Sequence, residues 1–167
     1  MKIKKIHHVA VICSDYAKSK DFYVRILGLT PLQEVYREER DSYKLDLEVN
    51  GQYQIELFSF PNPPQRPSYP EATGLRHLAF AVEDLDKAVQ HLASQKVEFE
   101  AIRLDALTGK KFTFFADPDG LPIEFYENWN NYRKLDTFYL SHYWLYYSYR
   151  HINRTKRQSH WKMVTQN

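Results

Sequence analysis

The sequence predicts an α+β fold in which two βαβββ modules form a curved mixed sheet. The first observation is an internal repeat: the segment 6–23 aligns with the segment 75–92 and places His77 69 residues after His8. The second is the order of patterns in each copy, which is an apolar strand, an amphipathic helix and a hairpin. The third is a matched histidine and glutamate in each copy. Together they indicate a duplicated module.

Each copy begins with a strand that is followed by a helix. The first apolar run stops at Asp15 and the second at Asp84, and aspartate is a favoured helix N-cap. Beyond these caps the apolar residues recur at helical spacing: Phe22, Ile26 and Leu29 in the first copy, and Leu85, Ala88, Val89 and Leu92 in the second. The pattern predicts strand and then helix in both copies.

Each copy ends with a hairpin. The segment 44–60 has an Asn-Gly turn between two strand-like runs, and the segment 111–127 has Asp-Pro-Asp-Gly in the corresponding place. The hairpins carry Glu56 and Glu124, which lie 68 residues apart, so the repeat extends to the end of both copies.

Proline content marks the domain organisation. Five of the eight prolines lie between the two copies, which predicts a stiff, extended linker at 61–73. We therefore expect one domain at 1–127, with a first module at about 3–60 and a second at about 74–127.

The last segment, 128–167, differs in composition. It holds 7 Lys+Arg and 1 Asp+Glu against 16 and 20 in residues 1–127, and it contains all three tryptophans. Its aromatic and basic mixture fits RNA or an anionic membrane surface. We favour the simpler interpretation of an appended extension of unknown role, with one helix around 135–150.

Composition also excludes several classes of protein. The single Cys13 rules out an internal disulfide, and its apolar surroundings suggest a small buried hydrophobe rather than a nucleophile. No signal-peptide pattern or membrane-length apolar run is present in the sequence, and the mean hydropathy is −0.62. We expect a cytoplasmic protein with no nucleic-acid or membrane partner, although the aromatic and basic extension leaves that expectation open.

Four polar residues stand on the strand face that the helices do not cover. Side chains alternate along a strand, so His8 and His77 face away from their apolar neighbours, as do Glu56 and Glu124. Two modules placed side by side would line a shared cleft with all four. Two imidazoles and two carboxylates suit a six-coordinate divalent metal with two positions left for water or substrate.

A simpler interpretation exists for each residue alone. Glutamates on half-exposed strands are mostly solvated, and a lone strand histidine is more often structural than a metal ligand. Chance rarely produces the pair twice, with spacings of 48 residues from His8 to Glu56 and 47 from His77 to Glu124. Duplication of an inert pair remains an alternative.

Four segments resemble a known family: HHVAVICSD, IELFSF, LRHLAFAVEDLDKAV and FTFFADPDGLPIEFYE. Over about 3–127 the chain resembles the vicinal oxygen chelate superfamily, which has the glyoxalase/bleomycin resistance/dioxygenase fold around a metal cleft. Within it the chain is similar to bacterial glyoxalase I-like (lactoylglutathione lyase-like) proteins of the YaeR type. The resemblance implies His8, Glu56, His77 and Glu124 as metal ligands. It favours nickel or cobalt, with zinc, manganese or iron as alternatives, and implies a homodimer whose sites are often shared across the interface.

The resemblance also implies a chemistry. A small chelating substrate, such as the hemithioacetal of methylglyoxal and a thiol, would isomerise through a metal-bound ene-diolate. Glu124 would move the proton between adjacent carbons, with Glu56 as its partner.

Two other functions stay open. An iron-dependent ring-cleaving dioxygenase would use two histidines and one carboxylate, and Glu56 as a fourth ligand argues against it. A non-catalytic metal-dependent protein that binds or sequesters a small ligand is the second, because a fold alone does not fix function.

Overall fold

The computed structural model describes residues 1–127. The predicted extension at 128–167, its boundary and its helix around 135–150 lie outside the described residues. The first module comprises β1 (Val9–Cys13), α1 (Tyr16–Asp21), a π-helical turn (Phe22–Ile26), β2 (Thr30–Arg37), a 3-10 turn (Glu38–Arg40), β3 (Ser42–Val49) and β4 (Gln52–Ser59). The second comprises β5 (Leu78–Val82), α2 (Leu85–Ser94), β6 (Arg103–Leu104), β7 (Lys111–Ala116) and β8 (Pro122–Glu127).

Both helices begin at the predicted aspartates. The Asp15 carboxylate accepts a 3.1 Å hydrogen bond from the Lys18 backbone N–H, and Asp84 accepts one of 3.1 Å from Lys87. Each bond satisfies a helix N-terminal donor that would otherwise lack a partner. The first helix differs from the expected continuous α-helix, because after Asp21 it continues as a π-helical turn.

The first sheet has the strand order β1-β4-β3-β2, with β1 parallel to β4 and the other pairs antiparallel. Its β3–β4 hairpin turns at Asn50 and Gly51, which have φ angles of 48° and 77°. Two consecutive positive φ angles are what a tight two-residue hairpin requires, and Asn-Gly tolerates them. The second sheet repeats the order as β5-β8-β7-β6, and residues 60–77 between the modules contain no helix or strand.

The two modules share one hydrophobic core. From the first module it contains Val11, Cys13, Phe22, Tyr23, Leu29, Leu45, Leu47, Ile55 and Leu57, and from the second Leu85, Val89, Leu92, Phe115, Leu121, Ile123 and Phe125. The modules therefore pack through their helix-bearing faces. Among the residues that meet there, the Phe22 and Phe115 rings lie 6.3 Å apart, and His91 Nε2 lies 2.9 Å from the Ile26 carbonyl.

This architecture confirms the predicted α+β fold of two βαβββ modules. Within residues 1–127 the strands form two four-stranded mixed sheets, one in each module, and no strand pairing joins them, since β1 pairs only with β4 and β5 only with β8. Cys13 is free and 1% exposed, as the sequence predicted for a small core residue. No helix in the described part of the chain is long and apolar enough to cross a membrane.

Candidate functional site: two matched histidine–glutamate pairs

The first module brings His8 and Glu56 together. His8 Nε2 lies 3.4 Å from Glu56 Oε2, and the protein leaves only 12% of the Glu56 side chain accessible. His8 stands directly before β1, and Glu56 lies in the middle of β4, the strand that runs parallel to it.

The second module repeats the arrangement with His77 and Glu124. His77 Nε2 lies 3.1 Å from Glu124 Oε2, and 13% of the Glu124 side chain is accessible. The strand registers also agree, because Ala10 pairs with Glu56 and Ala79 pairs with Glu124. Each histidine therefore lies two residues before the alanine that pairs with its glutamate.

The structure does not bring the two pairs to one place within the chain. Ile55 and Leu57 enter the shared core, so Glu56 between them lies on the opposite face of its sheet. The same holds for Glu124 between Ile123 and Phe125. Both pairs therefore face away from the common core, and residues 1–127 contain no group of three or more His, Cys, Asp or Glu side chains suited to a metal ion.

Polar groups that the sequence analysis did not single out surround Glu56. Lys44 Nζ donates to Glu56 Oε1 at 2.9 Å and to Asp46 Oδ1 at 2.6 Å, and the Tyr53 hydroxyl also donates to Glu56 Oε1. The alternation of Lys44 and Asp46 along the hairpin strand was the available signal, since it places both on the Glu56 face. His7 adds a ring nitrogen 2.8 Å from His8 Nδ1.

These contacts keep the Glu56 side chain ionised. Burial alone raises the pKa of Glu56, but the hydrogen bonds from Tyr53 and Lys44 outweigh it, so the pKa lies below its usual value. Burial and the bond to Glu56 raise the pKa of Tyr53 to about 12, and the carboxylates of Asp46 and Glu56 raise the pKa of Lys44. Glu56 is therefore an anion that faces a cationic lysine and a neutral tyrosine.

The second pair lies beside an aromatic ring and a cavity. The Phe114 ring packs edge-on against His77, with centroids 5.2 Å apart. A cavity of about 500 Å³ opens beside His77. Its other lining residues include Tyr69, Arg76, Phe99, Arg103 and Phe114. A small molecule bound at the second pair would have space there.

Each module also carries an arginine stacked on aromatic rings. The Arg37 guanidinium lies 4.8 Å from the Phe58 ring centroid, and that of Arg103 lies 4.9 Å from Phe112. Phe58 follows Glu56 by two residues and shares its face, so Arg37 is a cation on the same side as the first pair. Such stacking orients a guanidinium without neutralising its charge.

The donor set of each pair fits two positions on a divalent metal. Two ligands about 2.1 Å from one ion and at right angles to each other lie about 3.0 Å apart. The observed N–O separations of 3.4 and 3.1 Å are close to that value. Partly buried carboxylates are also stabilised by a cation. The residues therefore fit a metal as two half-sites, with two ligands each.

Comparison with known proteins identifies the fold family. A family model described as the Glyoxalase/Bleomycin resistance protein/Dioxygenase superfamily matches residues 5–125. The chain is 66% identical over 127 residues to the uncharacterized protein YwkD of Bacillus subtilis (strain 168), an alignment that covers 76% of this chain and 99% of YwkD. It is 65% identical over 125 residues to the uncharacterized YaeR of Escherichia coli (strain K12), covering 75% and 97%. The resemblance inferred from the four sequence segments is confirmed.

A more distant relative has an assigned activity. A 2-epi-5-epi-valiolone epimerase from Actinomyces sp is 26% identical over 140 residues, which covers 71% of this chain and 76% of the epimerase.

Solved structures share the fold. The glyoxalase family protein from Enterococcus faecalis matches with a TM-score of 0.70 and 50% identity, over 76% of this chain and all of that one. A variant of the fosfomycin resistance protein FosX from Listeria monocytogenes, crystallised with Mn(II) and a dihydroxypropylphosphonic acid, matches with a TM-score of 0.62 and 17% identity. That match covers 79% of this chain and 98% of FosX.

Proposed function

Because the chain belongs to the glyoxalase/bleomycin resistance protein/dioxygenase superfamily, we propose that it is a metal-dependent glyoxalase I-like lyase. Its substrate would be a small chelating molecule such as the hemithioacetal of methylglyoxal and a thiol. The observation that carries the proposal is the repeated His–Glu pair, which has the same strand register and closely similar N–O distances in both modules.

A complete metal site needs a second copy of the chain. One chain offers each pair on a face turned away from the shared core, so the two pairs cannot reach one ion. In a homodimer with two-fold symmetry, the first pair of one protomer can face the second pair of its partner, which generates two equivalent sites. The outer edges of β1 and β5 are free for such an approach within the described residues.

The metal-binding residues have distinct roles in this proposal. His8 and His77 would hold the metal through Nε2 and Glu56 would hold it through Oε2, the atoms that face each other within the pairs. A bound divalent metal supplies positive charge that stabilises the negative charge developing on the substrate oxygens. Glu124 removes the proton from one substrate carbon and returns it to the next. Among the polar side chains of residues 1–127, His77 is the partner of the Glu124 carboxylate.

The name of one relative supports proton transfer at carbon, and not ring cleavage by oxygen, as the reaction of this chain. The Actinomyces protein is an epimerase, and epimerases commonly invert a carbon centre by removing and returning a proton. Binding of Mn(II) by FosX supports a divalent metal in this superfamily. We propose nickel or cobalt as the working metal of this chain, in a cytoplasmic homodimer.

The first test is turnover of the methylglyoxal–glutathione hemithioacetal by protein stripped of metal and reloaded with nickel, cobalt, zinc or manganese. We expect formation of the thioester only after reloading, with nickel or cobalt most active. Metal uptake without turnover would reject this substrate and direct the search to another thiol or to a binding role.

A second test separates a shared site from a site within one chain. His8→Ala and His77→Ala are each expected to lose tight metal binding. When the two variants are refolded together, half of the dimers are mixed and each mixed dimer regains one intact site, so about a quarter of the wild-type metal content returns. The unmixed variants, refolded in the same way, are the controls. A mixture that binds no more metal than its parents rejects the shared site.

A further inference from the structure

The two oxygens of Glu56 have different partners. Oε2 faces His8 Nε2 at 3.4 Å, whereas Oε1 accepts hydrogen bonds from Lys44 Nζ at 2.9 Å and from the Tyr53 hydroxyl. Two donors on one oxygen occupy the lone pairs that a metal would need there.

The duplication provides an internal comparison. Lys44 pairs with the residue two positions after Glu56, and Phe112 pairs with the residue two positions after Glu124. Leu121 lies three residues before Glu124, as Tyr53 lies three before Glu56. The second module thus has phenylalanine where the first has Lys44, and Leu121 lies in the shared core instead of beside Glu124. The polar contacts are a property of the first module alone and not of the shared fold.

A β-bulge turns Tyr53 towards Glu56. Residues three apart on a regular strand lie on opposite faces, so the two side chains would not meet. The register of β3 against β4 shifts between Leu47 and Glu48, where Gln54 is the extra residue. This bulge reverses the alternation and brings the Tyr53 hydroxyl to Oε1 of Glu56.

Asp46 holds Lys44 in place. The ammonium lies 2.6 Å from Asp46 Oδ1, and only 29% of the Lys44 side chain and 17% of the Asp46 side chain are accessible. The Tyr53 hydroxyl lies 3.5 Å from the same Asp46 oxygen. The second carboxylate therefore anchors the ammonium beside Glu56.

We propose that Lys44 and Tyr53 are positioning residues that restrict Glu56 to one metal-binding oxygen, Oε2. This inference rests on the proposed metal site. A carboxylate that bound through both oxygens would occupy one more coordination position, and the ammonium would lie close to the metal charge. The two donors therefore keep that position open for a chelating substrate.

The test uses Mn(II) alone as the probe, with two readouts. Competition with a chelator gives the affinity, and the water-proton relaxivity of the Mn(II) protein reports the number of exchangeable waters on the metal. Lys44→Met should remove one of the two donors on Oε1 together with a repelling charge, so we expect roughly tenfold tighter binding and fewer bound waters. Tyr53→Phe should shift both readouts in the same direction, and Lys44→Arg should retain the wild-type values.

Lys20→Met is the matched control, because Lys20 also forms a half-exposed ion pair, with Glu34, away from both histidine–glutamate pairs. Circular dichroism of each variant checks that the fold is retained. Weaker metal binding by Lys44→Met, or an unchanged water number, overturns the positioning role while leaving the metal site intact. A wild-type protein that takes up no Mn(II), nickel or cobalt overturns the metal site and this inference together.

Discussion

The Tyr23 hydroxyl donates a 2.9 Å hydrogen bond to Asp117 Oδ2 and so joins the π-helical turn of the first module to the last turn of the second. The other Asp117 oxygen accepts from the backbone N–H groups of Asp119 and Leu121 at 2.9 and 2.8 Å. Only 5% of Asp117 is exposed. The contact between the modules thus contains a buried carboxyl group with three donors.

Asp117 makes stability depend on pH in an unusual direction. Burial raises its pKa despite the hydrogen bonds from Leu121 and Tyr23, so the folded protein binds its proton more tightly than the unfolded chain does. Stability from this group is therefore full below the ordinary aspartate pKa and falls as pH rises towards the folded pKa. In urea titrations at several pH values, Asp117→Asn should gain stability relative to the wild type across that window.

Tyr23→Phe is the control for this prediction, since it keeps the Asp117 carboxyl and should keep the fall with rising pH. A stability difference between Asp117→Asn and the wild type that shrinks as pH rises would mean that the folded state favours the carboxylate.

Turnover should depend on the Glu124 carboxylate. Glu124→Gln keeps the shape of the side chain but cannot accept a proton, so we expect kcat to fall by about 10²- to 10⁴-fold. Glu39→Gln, on the exposed 3-10 turn, should retain full activity. The measurement is thioester formation with metal-loaded protein. Full activity of Glu124→Gln would show that a different group removes the substrate proton.

Cys13 should be unreactive in the folded protein. Burial raises the pKa of its thiol to about 11, and little thiolate is present at neutral pH. We expect a chromogenic disulfide reagent to label Cys13 only after unfolding in guanidinium, and Cys13→Ala to retain turnover. Rapid labelling of the native protein would contradict the burial of Cys13 in the shared core.

Because the two modules share one core, we expect them to unfold together in a single cooperative transition. Phe115 packs against Phe22 of the first module and Phe125 of the second. Its replacement by alanine should cost about 3–5 kcal/mol of unfolding free energy. Leu104→Ala, at an exposed position of β6, should cost less than about 0.5 kcal/mol. Two separate urea transitions in the wild type would show that the modules unfold independently.

Local patterns in the sequence were sufficient to predict the modules. The caps at Asp15 and Asp84 and the Asn50–Gly51 turn each depend on a few neighbouring residues. Strand alternation likewise assigned the faces of Glu56 and Glu124, because a strand of either module buries alternate residues whatever its partner. The pairing of His8 with Glu56 follows from the parallel contact of β1 with β4, which the sequence analysis did not predict.

Only the tertiary structure shows other features. The bulge at Gln54, inside the β3–β4 hairpin, brings Tyr53 to Glu56, and the alternating pattern alone did not indicate it. The alternating pattern showed which side of each sheet is apolar, but it could not show that both apolar sides meet in one core. Because both apolar faces pack in this core, the two histidine–glutamate pairs lie on the opposite, outer faces of the two sheets.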